Sequence, residues 1–119
     1  PMTGTALQTA DAVDTWREVI ALLAEAADRG YQEAITNPAA HSTALAADGL
    51  ASAAIALLPE DLDHELDEVA LDAVVAHLDS AGLIRRAEQV TRRHPIEQLP
   101  AGASEVIVEL LDLVREISP

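Results

Sequence analysis

Residues 37–59 read NPAAHSTALAADGLASAAIALLP, and this stretch decides the fold. Asn37 can accept a backbone N–H at a helix start, and Pro38 suits the first turn, where no amide donor is needed. A helix is therefore expected from there to about Leu58, with Pro59 breaking it. Ala40, Ala44, Ala47 and Ala51 recur every three or four residues and line one side. With Gly49 beside them, that side predicts a neighbouring helix packed unusually near, close packing being the reading given to Gly49.

Upstream, TALQ offers Thr5 as an N-cap with Gln8 three residues on. Val13, Trp16, Ile20, Leu23 and Ala27 then follow at helical spacing, which predicts a long amphipathic helix. Gly30 is expected to close it with a positive φ, Tyr31 folding back on the helix end and residues 31–36 adding one further turn.

Downstream, residues 59–72 read PEDLDHELDEVALD, with seven acids and no cation. Glu60, Asp61 and Asp63 follow a proline and sit where a helix macrodipole presents positive partial charge, so the acids are read as a helix start. Leu62, Leu66, Val69, Ala73 and Ala76 continue at helical spacing to Leu78, and Gly82 with Leu83 reads as a second glycine stop. A calcium loop of the EF-hand kind would need glycine where Leu66 stands and glutamate where Asp72 stands.

Leu83, Ala87 and Val90 predict a shorter helix ending before Pro95, and PIEQLPAG reads as a linker. The last helix is expected over about 103–117, with Ser104 as a cap and an acidic stripe of Glu105, Glu109, Asp112 and Glu116. Between and just after these acids lie eight aliphatic residues, an arc wider than one packed face requires. That width predicts a helix either central in the bundle or shared with a second copy. A homodimer is expected, with Val106, Val108, Leu111 and Leu113 as its apolar interface.

Composition supports the helical reading. Among 119 residues there are 32 Leu, Val and Ile and 24 Ala, while Trp16 and Tyr31 are the only aromatics. A core of small and aliphatic side chains lets helices approach closely and favours helix over sheet. The expected fold is all-α: a compact bundle of four to five helices in one domain over residues 5–118. Pro1 ahead of Met2 reads as an expression remnant, and residues 1–4 are expected to be unordered.

Charge and residue chemistry narrow the function classes. The formal net charge of −14 repels a phosphate backbone and favours a basic protein partner. No cysteine is present, which removes disulfides and thiol chemistry. The longest apolar run, LASAAIALL, is too short for a bilayer, and a cytoplasmic protein is the default expectation.

All seven cations are arginine, and Arg85, Arg86, Arg92 and Arg93 form the one cluster. Seven residues separate Arg85 from Arg92 and Arg86 from Arg93, so each pair shares a helix face. The cluster reads as a phosphate or acidic-partner patch, or as balance for the acidic stretch before it and for its own helix dipole.

VVAHLDSAGLIRR, residues 74–86, resembles the passage from recognition helix to wing in winged helix-turn-helix regulators. That resemblance implies a transcriptional regulator with residues 83–99 as a wing of two strands. The reading helix would offer Asp72, Ala73, Val74, Ala76 and Asp79 where base-contacting side chains are basic or amide.

His41, His64, His77 and His94 are spread one per segment, and no pattern fits a metal site. His41 lies on a small-residue helix that resembles histidine phosphotransfer bundles, but Ser42, Thr43 and Ala44 follow it in place of the family's lysine and glycine. No glycine-flanked serine elbow or phosphate-cradling loop occurs. Catalytic residues, cofactor ligands and metal ligands are therefore assigned to none. The expected function is a small acidic helical interaction module: an adaptor, an antitoxin-like inhibitor or an assembly chaperone.

Overall fold

The computed structural model describes residues 2–58 and 73–117. These form four α-helices, α1 (Met2–Glu33), α2 (Ala39–Ile55), α3 (Ser80–Thr91) and α4 (Ala103–Ile117), with 3-10 turns at Ala73–His77 and Ile96–Gln98. Among the described residues there is no strand. The acidic helix start at Glu60–Asp63 and the calcium-loop comparison lie outside the described residues.

α1 is the spine. At about 1.5 Å per residue its 32 residues span about 48 Å, which sets the long dimension of a body measuring 52 × 26 × 25 Å. Its apolar positions Ala12, Trp16, Val19, Ile20, Leu23, Ala26 and Ala27 are all buried. α2 runs antiparallel along one side, so that Trp16 meets Ala54 while Gly30 meets Ala44. α3 runs antiparallel along another, with Arg93 on Glu18 at one end and Ser80 on Glu33 at the other. α4 then closes the bundle against both α3 and α2.

Two contacts fix the α1–α2 pair. The indole N–H of Trp16, fully buried, donates to the Ala54 carbonyl in the last turn of α2 at 3.0 Å. At the other end the helices touch almost backbone to backbone: a Cβ placed on Gly30 would lie 2.7 Å from the Ala44 Cβ and 3.1 Å from its Cα. Gly30 is therefore not the helix stop expected from sequence. Its φ is not positive, and α1 continues through it to Glu33. The absent side chain serves interhelical contact. Gly49, expected to be the close-packed glycine, is exposed, and a Cβ there would meet nothing within 4 Å.

Helix ends show where local signals were read correctly and where they were misplaced. α1 begins at Met2, so Thr5 lies within it and is not its cap. Asn37 does support the start of α2, since its Oδ1 accepts from the Ala39 N–H at 3.3 Å and Pro38 is already helical at φ −56°. Gly82 ends nothing: it lies in the first turn of α3, and its N–H donates to the Asp79 carboxylate at 2.8 Å. Ser104 likewise lies inside α4, which is entered through Gly102 at φ +91°, a conformation that disfavours any side chain.

The start of α3 is held from α1 as well. The Glu33 carboxylate accepts from the Ser80 N–H at 2.9 Å and from the Ser80 hydroxyl at 2.6 Å. One turn earlier Arg29 donates to the carbonyls of Val75 and Leu78 and pairs with Glu25. Two carboxylates, Glu33 and Asp79, thus meet the positive end of the α3 dipole, and the buried Ser80 amide has a partner.

The region that the regulator resemblance would make a wing is instead the shorter helix expected from Leu83, Ala87 and Val90, helical over 80–91 and followed by the turn at Ile96–Gln98. The two strands that a wing over 83–99 requires do not form.

The glycine assignments lead to a contrast measurable by urea denaturation. Gly49→Ala is expected to raise stability by up to about 1 kcal/mol, because alanine is the better helix former and the site is open. Gly30→Ala gains the same propensity but must push the helices apart, and is expected to lower stability by about 1–2 kcal/mol. Equal responses at the two positions would contradict the packing described.

Candidate functional site

The arginine cluster does not converge on one site. Arg92 turns back on α3 and makes two 2.6 Å contacts with the buried Glu88. Arg93 crosses to Glu18 on α1 at 2.9 Å. Arg85 donates to the Ile117 carbonyl at 3.2 Å, where the negative end of the α4 dipole lies. Arg86 is half-buried. Three of the four therefore have donors engaged within the fold, and their partners are a glutamate of the same helix, a glutamate of α1 and a helix end.

The expected apolar interface is divided too. Val106 and Leu113 are buried in the core, Leu111 is half-buried, and Val108 alone stands out at 57% exposed. The wide arc of α4 is accounted for by its packing against two helices. Ile107, Val114 and Ile117 are half-buried and packed against the core, so the arc does not require a second copy.

Two of the described histidines, His94 and His41, sit in unrelated settings. His94 joins three elements, its Nε2 3.0 Å from the Thr15 hydroxyl on α1 and its Nδ1 3.2 Å from Gln98 Oε1. Thr15 is buried, so this is a polar tie between the end of α3 and the spine. His41 lies against Tyr31 with ring centroids 5.7 Å apart. Among the described residues no group of three or more acids and histidines could hold a metal ion.

What the structure does bring together is a groove between α2 and α4, of about 390 Å³. Ala46, Gly49 and Leu50 of α2 and Leu113 of α4 form its floor. Glu109, Asp112 and Glu116 line its α4 side. The groove exists because α2 presents small residues there and the open side of Gly49 leaves the space unfilled. Its volume falls within the range of about 300–1,000 Å³ usual for ligand sites.

The sequence showed one half of this groove, the acidic stripe of α4; the small-residue side expected on α2, Ala40, Ala44, Ala47 and Ala51, is the buried face of that helix, and Gly49 was expected to be close-packed. All four stripe acids are exposed. The juxtaposition was missed, because nothing local says which face of α2 meets which face of α4.

The chemistry of the groove is set by its lining. Its lining offers carboxylates and aliphatic carbon, with no hydroxyl, imidazole or amide side chain. It can accept hydrogen bonds from cations and bury methylene groups. Asp112 already holds Arg115 at 3.5 Å, both side chains being well exposed. Among the described residues no cation pairs with Glu109 or Glu116.

Comparison of the chain with protein-family models, with curated proteins and with solved structures found no match. No helix among the described residues is long and apolar enough to cross a membrane.

One group on the opposite edge of α2 has a shifted titration. Tyr31 is half-buried and its hydroxyl lies 3.4 Å from Asp48 Oδ2. Desolvation, and then the charge and hydrogen bond of Asp48, raise its pKa above the ordinary 10.0. Because the folded value is the higher, the fold holds this proton longer than the unfolded chain does. The associated stability is present below the unfolded value and lost as pH rises through the folded one. An absorbance titration of this single tyrosine should show a midpoint above 10.0. Asp48→Asn should lower it, and an unchanged midpoint in the variant would contradict the assignment to Asp48.

Proposed function

We propose that the protein is a small acidic interaction module without a catalytic centre, which binds another protein in the groove between α2 and α4. One observation carries this reading: a groove whose accessible apolar part is Ala46 and Gly49, with Leu50 and Leu113 almost buried beneath it, lies directly beside a row of carboxylates. Burial of the floor would supply affinity, and the carboxylates, within a chain of net charge −14, would steer a basic partner and exclude acidic ones. Adaptors, antitoxin-like inhibitors and assembly chaperones all work by this kind of contact. The partner sought is a different protein: a second copy would bring 21 acids against seven cations to a groove that is itself acidic.

Gly49→Leu tests the reading: a Cβ there meets nothing within 4 Å and leucine is the better helix former, and the variant's helical circular dichroism should match that of the wild type. The intact chain and this variant would be compared as baits in a lysate of the native host, with bound proteins quantified by mass spectrometry. A protein retained by the wild type and reduced at least tenfold by Gly49→Leu is the expected result. Equal retention by both baits would overturn the assignment of the groove.

A further inference from the structure

We infer that the occupant of the α2–α4 groove is a basic amphipathic helix, with Arg or Lys recurring along one face at intervals of three and four residues. The inference rests on the reading of the groove as a protein-binding site and adds the chemistry and secondary structure of the partner.

The spacing of the acids is the first observation. Glu105, Glu109, Asp112 and Glu116 follow one another at intervals of four, three and four, so they share a face of α4 over a length of about 16 Å. The lower three line the groove itself. A helix laid alongside would present cations at the same axial rise when they recur every three or four residues.

The second observation is what the acids lack. Neither Glu109 nor Glu116 pairs with a cation among the described residues. The Asp112–Arg115 pair, at 3.5 Å with 66% and 79% of the two side chains exposed, is of the solvated kind that an incoming cation exchanges readily. An incoming Arg or Lys thus finds acceptors without breaking a buried pair.

The third observation concerns the floor. Ala46 and Gly49, above the nearly buried Leu50 and Leu113, leave a shallow apolar surface along which the methylene stem of Arg or Lys can lie while its charged head reaches the rim. The lining side chains offer no hydrogen-bond donor.

A test uses the full chain and fluorescence anisotropy with labelled synthetic peptides of about 18 residues, a length of about 27 Å when helical. One peptide carries Arg at i, i+4, i+7 and i+11 on an Ala/Leu helix, and a second replaces each Arg by Gln. Three variants accompany the wild type: Gly49→Leu, the double variant Glu109→Gln/Glu116→Gln, and Asp28→Asn/Glu97→Gln, which removes the same charge from exposed positions elsewhere.

The expected result is binding of the Arg peptide that weakens about tenfold for Glu109→Gln/Glu116→Gln, is lost for Gly49→Leu, and changes less than twofold for Asp28→Asn/Glu97→Gln. Binding should induce helical circular dichroism in the peptide. Equal weakening by the two double variants would overturn the inference, since net charge alone would then account for binding. Equal binding of the Gln peptide would also overturn it, while leaving the groove as an apolar docking site. Failure of both peptides would overturn it as well. If Gly49→Leu still abolished capture of a host protein, that failure would concern the class of occupant and not the groove.

Discussion

The near contact of Gly30 with Ala44 sets the distance between α1 and α2, and the rest of the bundle is built on that distance. At the far end of the same pair Trp16 donates to the Ala54 carbonyl and fills the interior next to it. One contact needs the absence of a side chain, the other the largest side chain available. Together they fix the separation and axial register of two helices, of which α2 buries mainly alanines, whose small apolar surfaces give little orientation of their own. α3 and α4 add to a frame already defined, and the Glu33 and Arg29 contacts carry that frame into the start of α3.

Much of this was legible in the sequence. The all-helical class followed from alanine and leucine at helical spacing, the last helix was expected over 103–117 and forms Ala103–Ile117, and Asn37 supports the helix it was expected to start. Glycine is where local reading failed. Gly30, Gly49 and Gly82 were read as a stop, a close contact and a stop, and are a close contact, an open position and a first-turn residue. A missing Cβ serves both backbone freedom and interhelical contact, and only the partner residue separates the two uses. For Gly82 a local signal existed: Asp79 stands three residues before it as an N-cap.

The charged residues show the same limit. The arginine cluster looked like one patch because four cations fall within nine residues, yet their partners include Glu18, 75 positions away from Arg93, and the end of α4. Sequence spacing states which side chains share a face of one helix. It does not state what the other helices bring to that face. The groove between α2 and α4 is the complementary case, since acids that looked like a solvated stripe border an apolar floor supplied by a helix more than 50 residues earlier. An exposed acidic face and a small-residue face are each ordinary alone; side by side, with Gly49 leaving room, they make a surface that can select a cation-bearing partner.

The most direct test of the account is a double-mutant cycle between Gly30→Ala and Ala44→Gly, followed by urea denaturation with Trp16 fluorescence as the probe. If the two positions touch as described, Ala44→Gly should relieve part of the crowding introduced at residue 30. The double variant should then be more stable than the sum of the single effects implies by about 1 kcal/mol or more, as is usual for residues in contact. Additivity within about 0.5 kcal/mol would mean that the two helices do not meet there, and would contradict the frame on which the bundle and its groove depend.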